Sequence, residues 1–103
     1  MTAIVLLTVR RAALHFSAET YERFFAGLSS LVFLRDRADL LMLPVRLGAG
    51  GGYVIKLRNG AGDRTVDAAD FFRENGIEDA VCLTLPAYWS DDRAALVVQG
   101  VFN

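Results

Sequence analysis

The sequence contains little of what most reaction centres need. It has one cysteine, Cys82, and one histidine, His15, among 103 residues. A single thiol excludes an intramolecular disulfide and a zinc site built from several cysteines, and it favours a reducing compartment, so we expect a cytoplasmic protein. Both residues fall in predicted strands, where a packed core cysteine and a strand histidine are much commoner than a nucleophile and its base.

Other candidate reaction centres are also weakly indicated. Two aspartate pairs, at positions 36 and 39 and at positions 91 and 92, fall in predicted hairpin turns, where aspartate is favoured for its own backbone hydrogen bonds. The glycine-rich segment 48–52 lacks the Gly-Lys-Ser/Thr that completes a phosphate-binding loop. General acid–base chemistry needs a titratable pair in one pocket. We therefore predict a protein that is not an enzyme, with no catalytic residue, metal or cofactor.

The sequence also lacks a long hydrophobic run. Residues 1–9 are apolar, but Arg10 and Arg11 interrupt them at a length far short of a membrane span, and no basic segment precedes them. We therefore expect a strand here rather than a signal, and no membrane partner.

Net charge is low and unevenly distributed. The formal net charge is -1, which argues against generic binding to polyanions. Residues 40–66 nevertheless contain four cations against the single acid Asp63, whereas residues 67–103 contain two arginines against seven acids. This pattern fits either a solvated surface of paired charges or a basic binding face.

Apolar and aromatic residues are abundant. Hydrophobic residues make up 53% of the chain, which includes seven Phe, three Tyr and one Trp. This content predicts one domain, residues 1–103, with a packed core and enough remaining apolar surface for a homodimer. Tyr88 and Trp89 are candidate partner-binding residues, with core packing as the alternative.

The glycine-rich segment divides the chain near its midpoint. Residues 48–52 include four glycines, which disfavour a helix or a strand, so we predict a hinge. An apolar run, a capped amphipathic segment and a hairpin occur in the same order on both sides. We therefore predict an internal repeat of residues 1–47 and 53–103.

Two shifts of the sequence support the repeat. A shift of 50 residues places Ser17 on Asp67, both as predicted helix caps. A shift of 56 residues places Asp36 on Asp92. Because the two shifts differ, the second half needs an insertion between helix and turn, which we predict near Pro86.

Hydrophobic periodicity predicts the individual elements. Tyr21, Phe24, Phe25 and Leu28 form one helical stripe after the Ser17 cap, and a second helix covers residues 68–75 before Gly76. Residues 12–16 either continue the first strand or return as the second arm of a hairpin. The remaining strands are predicted over residues 2–9, 30–34, 40–45, 53–58, 64–66, 81–89 and 94–101, with the strongest turn at residues 59–63.

These elements predict an α+β fold, a small and mostly antiparallel β-sheet or barrel with two short helices and two ββαββ halves. Residues 62–66, Gly-Asp-Arg-Thr-Val, stand where the swapped-hairpin AbrB family has its Gly-Arg turn and strand, and the following helix ends in Gly76-Ile77 before a last hairpin. The chain therefore resembles the swapped-hairpin AbrB family, with two copies in one chain as in the MraZ arrangement. The proline that this family has at the helix start is replaced by Val66-Asp67.

This resemblance implies a DNA-binding face on the arginine-bearing strands and turns ahead of each helix. Arginine suits that role because its planar fork holds phosphate oxygens or a guanine edge with two hydrogen bonds. The residues implied are Arg10, Arg11, Lys56, Arg58 and Arg64.

Three functions follow for a domain of this kind. The first is a DNA-binding transcriptional regulator of the AbrB type. The second is a homo-oligomeric interaction or assembly module without nucleic acid, in which these cations only solubilise strand edges. The third is a small enzyme or ligand-binding protein. A basic patch on one continuous face favours DNA, whereas scattered cations around an apolar patch favour protein.

Overall fold

Strands make up most of the regular secondary structure. The computed structural model describes residues 4–44 and 52–103, so the predicted hinge at residues 48–52 lies almost entirely outside the described residues. The elements along the described chain are β1 (Val5–Arg10), β2 (Ala13–Phe16), α1 (Ala18–Thr20, continued by a π-helical turn over Tyr21–Phe25), β3 (Ser30–Asp36), β4 (Asp39–Pro44), β5 (Tyr53–Leu57), β6 (Arg64–Asp67), α2 (Ala69–Glu74), β7 (Cys82–Ser90) and β8 (Ala95–Val98).

The described strands close into a barrel. Their order is β1-β2-β6-β5-β3-β4-β8-β7, every neighbouring pair is antiparallel, and β7 returns to β1. The predicted small antiparallel barrel with two short helices is confirmed, with strands dominating the α+β content. Closure gives every described strand a neighbour on both sides, and an open edge is a common route to unwanted association.

Alternating side chains fill the barrel. Because successive residues of a strand point to opposite faces, one apolar set from each strand lies inside. Full burial of each large apolar side chain contributes about 1.5–3 kcal/mol. The helical segments add Phe25 and Phe72, and β8 is buried on both faces. The most completely buried large side chains are Leu7, Val9, Leu14, Phe25, Leu31, Leu40, Met42, Val66, Phe72, Leu96, Val97 and Val98.

The first hairpin resolves the alternative left open for residues 12–16. Arg11 and Ala12 have φ values of 54° and 57°, and Arg10 pairs with Ala13 across them. Two consecutive left-handed residues form the tight turn that matches the twist of a hairpin. Residues 13–16 therefore return as β2 beside β1.

The cap predicted at Ser17 is confirmed. Its side-chain oxygen accepts a hydrogen bond from the Thr20 amide at 3.1 Å, which satisfies an amide of the first helical turn. The helical segment ends at Phe25, and Gly27 follows with a φ of 80°.

The cap predicted at Asp67 is wrong. Asp67 is the last residue of β6, opposite Ala13, and Ala68 occupies the N-cap position of α2 without a side-chain cap from the described residues. Strand pairing directs the Asp67 carboxylate onto the outer surface, where it contacts Lys56 Nζ at 3.2 Å. Gly76, with a φ of 84°, follows α2 as predicted.

The two helical segments cover opposite ends of the barrel. β2 and β6 are antiparallel neighbours, so the helices that follow them lie at opposite ends. At the α1 end, Phe25 contacts Phe16 edge-on, with ring centroids 5.7 Å apart. At the α2 end, Phe72 meets Phe33 at 6.0 Å. As expected for neighbouring aromatic pairs on a helix, Phe25 and Phe72 are fully buried and the residue before each is only partly buried.

The two halves have the same element order. Each contains two strands, a helical segment and two strands, and the barrel order is unchanged when β1–β4 are exchanged with β5–β8. The extra residues of the second half are divided between the connection to β7 and β7 itself. The connection spans residues 75–81, against 26–29 in the first half, and β7 has nine residues against seven in β3. β7 runs through Pro86 without interruption.

Among the helices that the structure describes, none has both the length and the apolarity needed to cross a bilayer.

Candidate nucleic-acid interface

Four neighbouring strands, in the order β1-β2-β6-β5, present one continuous outer surface. Leu7, Leu14 and Val66 point into the core, so the residues that alternate with them point outward. We call this surface the four-strand face. It consists of Leu6, Thr8, Arg10, Ala13, His15, Thr65, Asp67, Val54, Lys56 and the adjoining Arg58.

Arg10 and Arg58 occupy matching positions on the four-strand face. Arg10 is the last residue of β1 and pairs with Ala13 across the first turn. Arg58 directly follows β5, and its amide donates to the Asp63 carbonyl at 2.7 Å across the next turn. Both side chains are exposed, and neither forms an ion pair within the described residues. Each half thus places one arginine at the base of its first hairpin turn.

His15 lies at the centre of this face. It pairs with Thr8 on one side and with Thr65 on the other. Burial, the largest effect, holds the pKa of His15 below its ordinary value, and repulsion from the Arg58 and Arg10 guanidinium groups lowers it further; a hydrogen bond with the Arg10 backbone opposes burial, and Asp67 has a smaller raising effect. The imidazole is therefore neutral near pH 7, and its buried Nδ1 has no hydrogen-bond partner among the described residues.

Lys56 is the third cation of the face. Its ammonium lies 3.2 Å from the Asp67 carboxylate, with 57% and 66% of the two side chains exposed. An exposed pair of this kind contributes little stability, about 0–1 kcal/mol, because water and salt screen it. Lys56 can therefore exchange Asp67 for another anion at small cost.

A shallow groove of about 160 Å³ runs beside His15. At its edge, Asp63 Oδ2 accepts from Asn59 Nδ2 and Oδ1 accepts from the Ala18 amide, both at 3.1 Å. These hydrogen bonds hold the pKa of Asp63 below its ordinary value, so this carboxylate stays ionised and joins the Arg58 turn to the start of α1. The groove is lined by Leu6, Thr8, His15, Phe16, Ser17, Arg58 and Asp63.

The other two cations implied by the family resemblance lie outside the four-strand face. Arg11 is exposed in the turn between β1 and β2. Arg64 is only partly exposed, with its guanidinium 4.1 Å from the Tyr21 ring centroid and donating to the Gly62 carbonyl. The fold thus brings Arg10, Lys56 and Arg58 onto one face and uses Arg64 to hold the π-helical turn against the barrel.

The predicted partner-binding aromatics are both partly buried. The Trp89 indole stacks on Phe24, with ring centroids 6.0 Å apart and planes 7° from parallel, and its Nε1 donates to Asp91 at 3.1 Å. Tyr88 lies on β7 opposite Val97. Trp89 is therefore engaged in packing at the α1 end of the barrel.

The expectation of a packed core cysteine is wrong. Cys82 is exposed because it begins β7 on the outward side, opposite Arg10. His15 pairs with Thr8 on the other side of β1, so a whole strand separates the imidazole from the thiol.

Within residues 4–44 and 52–103, no three His, Cys, Asp or Glu side chains are grouped so as to hold a metal ion.

Sequence reasoning missed the hydroxyl groups of this region. Thr8 and Thr84 lie on adjacent strands with their hydroxyl oxygens 3.1 Å apart, and Thr65 lies two strands from Thr8. The alternation within β1 and β6 was a usable signal, but the pairing of these strands was not readable from the chain.

Comparisons with protein-family models, curated proteins and solved structures found no match.

The chemistry that this surface offers is hydrogen-bond donation to anions. Two guanidinium groups, one ammonium and several hydroxyls point outward from a rigid sheet. Charged donors of this kind form short and strong hydrogen bonds to phosphate or carboxylate oxygens.

Proposed function

We propose that the protein is a non-catalytic DNA-binding domain of the swapped-hairpin AbrB type, built from two ββαββ halves, and that it acts as a transcriptional regulator through the four-strand face. The observation that carries this proposal is that the exposed cations Arg10, Lys56 and Arg58 lie on one face of the barrel, on its two outer strands β1 and β5. Cations that share one face are the arrangement that favours DNA over a purely solubilising role.

The distribution of acids supports the same proposal. The acids of the C-terminal part lie mainly on α2, on the connection after it and on the β7–β8 turn, away from these strands. The two carboxylates that adjoin the cations already have partners, since Asp67 contacts Lys56 and Asp63 accepts from Asn59 and Ala18. A net charge of -1 is therefore compatible with a locally positive surface.

The size of the interface sets the expected strength. Each phosphate neutralised by a cation contributes about -0.9 to the slope of log K against log salt. Three cations predict a slope of about -2 to -3, which corresponds to modest, salt-sensitive binding. The hydroxyls beside them can fix the register of the backbone contacts.

Replacing both arginines should weaken duplex binding. We expect Arg10→Ala with Arg58→Ala to lower the affinity for a mixed-sequence duplex and to reduce the magnitude of the salt slope by about 2, because two phosphate contacts are lost. Fluorescence anisotropy between about 50 and 200 mM salt measures both quantities.

The matched control is Arg93→Ala. Arg93 lies in the turn after β7 and contacts Asp36 at 3.0 Å, outside the four-strand face. The Arg93→Ala substitution removes the same type of charge and should leave the affinity for the duplex nearly unchanged. Absence of salt-dependent binding by the unsubstituted protein, or equal binding by the double variant, would exclude this interface.

A homo-oligomeric interaction module is the second candidate. The observation in its favour is that Leu6 and Val54, on the same face, are 65% and 57% exposed. Sedimentation of the protein with and without a mixed-sequence duplex, at low and high salt, separates the two candidates. An apolar interface between copies of the chain persists at high salt, whereas contacts to DNA phosphates weaken.

A further inference from the structure

The four-strand face has an internal two-fold relationship. The pair Thr8 and His15, between β1 and β2, matches the pair Lys56 and Thr65, between β5 and β6. His15 and Thr65 are themselves paired across β2 and β6. Exchanging the halves therefore exchanges His15 with Thr65, so a pseudo-two-fold axis passes between these two residues, perpendicular to the sheet.

The same exchange relates the ends of the face. Arg10 lies two residues after Thr8 and Arg58 lies two residues after Lys56, each at the base of a turn. Leu6 lies two residues before Thr8, Val54 lies two residues before Lys56, and both are exposed. The outward positions of β1 thus have counterparts on β5, with arginine at the outermost position in both.

Strand geometry fixes the spacing of the two arginines. β1 and β5 are separated by three inter-strand steps, or about 14 Å. In the direction along the strands, Arg10 is level with Asp67 and Arg58 is level with Asp63. These two levels are four residues apart on β6, so the arginines are also separated by about 13 Å in this direction. The two backbone positions are therefore roughly 19 Å apart on a flat sheet, close to half a turn of B-DNA.

Duplex DNA has matching symmetry. Its two backbones are antiparallel, and two-fold axes perpendicular to the duplex relate them. A protein surface with its own two-fold axis binds such a duplex equivalently on both strands when the two axes coincide, which is why dimeric regulators bind inverted repeats. Here one chain already contains the two related arginines.

We infer that a single copy of this chain places its pseudo-two-fold axis on a two-fold axis of the duplex, with Arg10 on one DNA strand and Arg58 on the other, and so recognises an inverted repeat without dimerising. This inference rests on the proposed DNA-binding function. The two half-sites are unequal, because Thr8 is replaced by Lys56 and His15 by Thr65 across the axis.

The test begins with selection of bound duplexes from a random pool by the full chain. The expected product is an imperfect inverted repeat with one centre, bound at one chain per duplex in native mass spectrometry. Ethylation of backbone phosphates should then interfere at positions placed symmetrically on the two strands.

Single arginine variants give the second readout. Arg10→Ala and Arg58→Ala should each weaken binding by about tenfold, the loss of one charge-assisted contact. Each should remove interference on a different DNA strand, whereas Arg93→Ala should remove neither. Circular dichroism of each variant establishes that the barrel is retained.

The outcomes separate this inference from the proposed function. A direct repeat, an asymmetric motif, two chains per duplex, or an effect of only one of the two arginines would overturn the single-chain arrangement and leave DNA binding standing. If the pool yields no duplex that binds in a salt-dependent manner, DNA binding itself is overturned.

Discussion

At the residue scale, His15 shows how its surroundings alter one side chain. Burial and the two flanking guanidinium groups disfavour the imidazolium, so the folded protein binds a proton at His15 less readily than the unfolded chain does. A lowered histidine pKa contributes stability that is fully present above the ordinary value near 6.5. That contribution is lost as pH falls through 6.5 toward the lowered pKa.

His15→Gln should therefore make the free energy of unfolding depend less on pH below neutrality. Between about pH 7.5 and 5 we expect the free energy of unfolding of the unsubstituted protein to fall more steeply than that of the variant, because glutamine does not titrate. Urea denaturation across this range measures the difference. Parallel profiles would show that His15 has the same pKa in the folded and unfolded chains.

Sequence reasoning succeeded for residues whose partners are close along the chain. Ser17 caps its helix because the Thr20 amide is three residues away. Arg64 lies against Tyr21 in the other half, and this contact depends on strand pairing that no local pattern reveals. The exposure of Cys82 was missed for a related reason, since its outward direction follows from its register with Arg10.

At the element scale, turns differ in how clearly their residues indicate them. The turn after β5 was predicted from Asn59-Gly60, residue types that favour turns. The turn after β1 contains Arg11 and Ala12, which have a left-handed backbone without glycine or asparagine, so its hairpin could not be distinguished from a continued strand.

Ala94 is a further left-handed position without glycine. Its φ is 51°, it is exposed, and it ends the turn between β7 and β8. A left-handed conformation costs a residue with a Cβ atom roughly 1–2 kcal/mol. We expect Ala94→Gly to raise the free energy of unfolding by up to about 1 kcal/mol, after glycine's larger entropy loss is included, as measured by urea denaturation.

Ala80→Gly is the matched control for Ala94→Gly. Ala80 is also exposed in a turn, but it does not have a positive φ. Glycine there should leave stability unchanged or lower it, because only the entropy loss remains. Equal effects at the two positions would contradict the argument from backbone conformation.

At the scale of the whole molecule, strand pairing joins the two halves more extensively than the single covalent link does. Four of the eight strand pairings in the described barrel connect the halves, namely β1·β7, β2·β6, β3·β5 and β4·β8. Local hairpins were readable from the sequence, but these four were not, because each pairs segments that are far apart in the chain.

Cutting the chain between the halves should leave the barrel assembled. A protease site introduced within residues 47–51 allows cleavage of the folded protein. We expect the two fragments to migrate together in gel filtration and to separate only in denaturant, since the four pairings and the shared core remain. Separation of the fragments in native buffer would show that the covalent connection is required.

The exchange relationship between the halves also affects how copies of the chain interact. A second copy presents the same complementary strands, so the first half of one molecule can close a barrel with the second half of another. Such reciprocal domain swapping preserves every strand pairing and differs only in connectivity. The balance between the closed monomer and the swapped dimer is then set by the local concentration that the linker imposes, against the concentration of protein in solution.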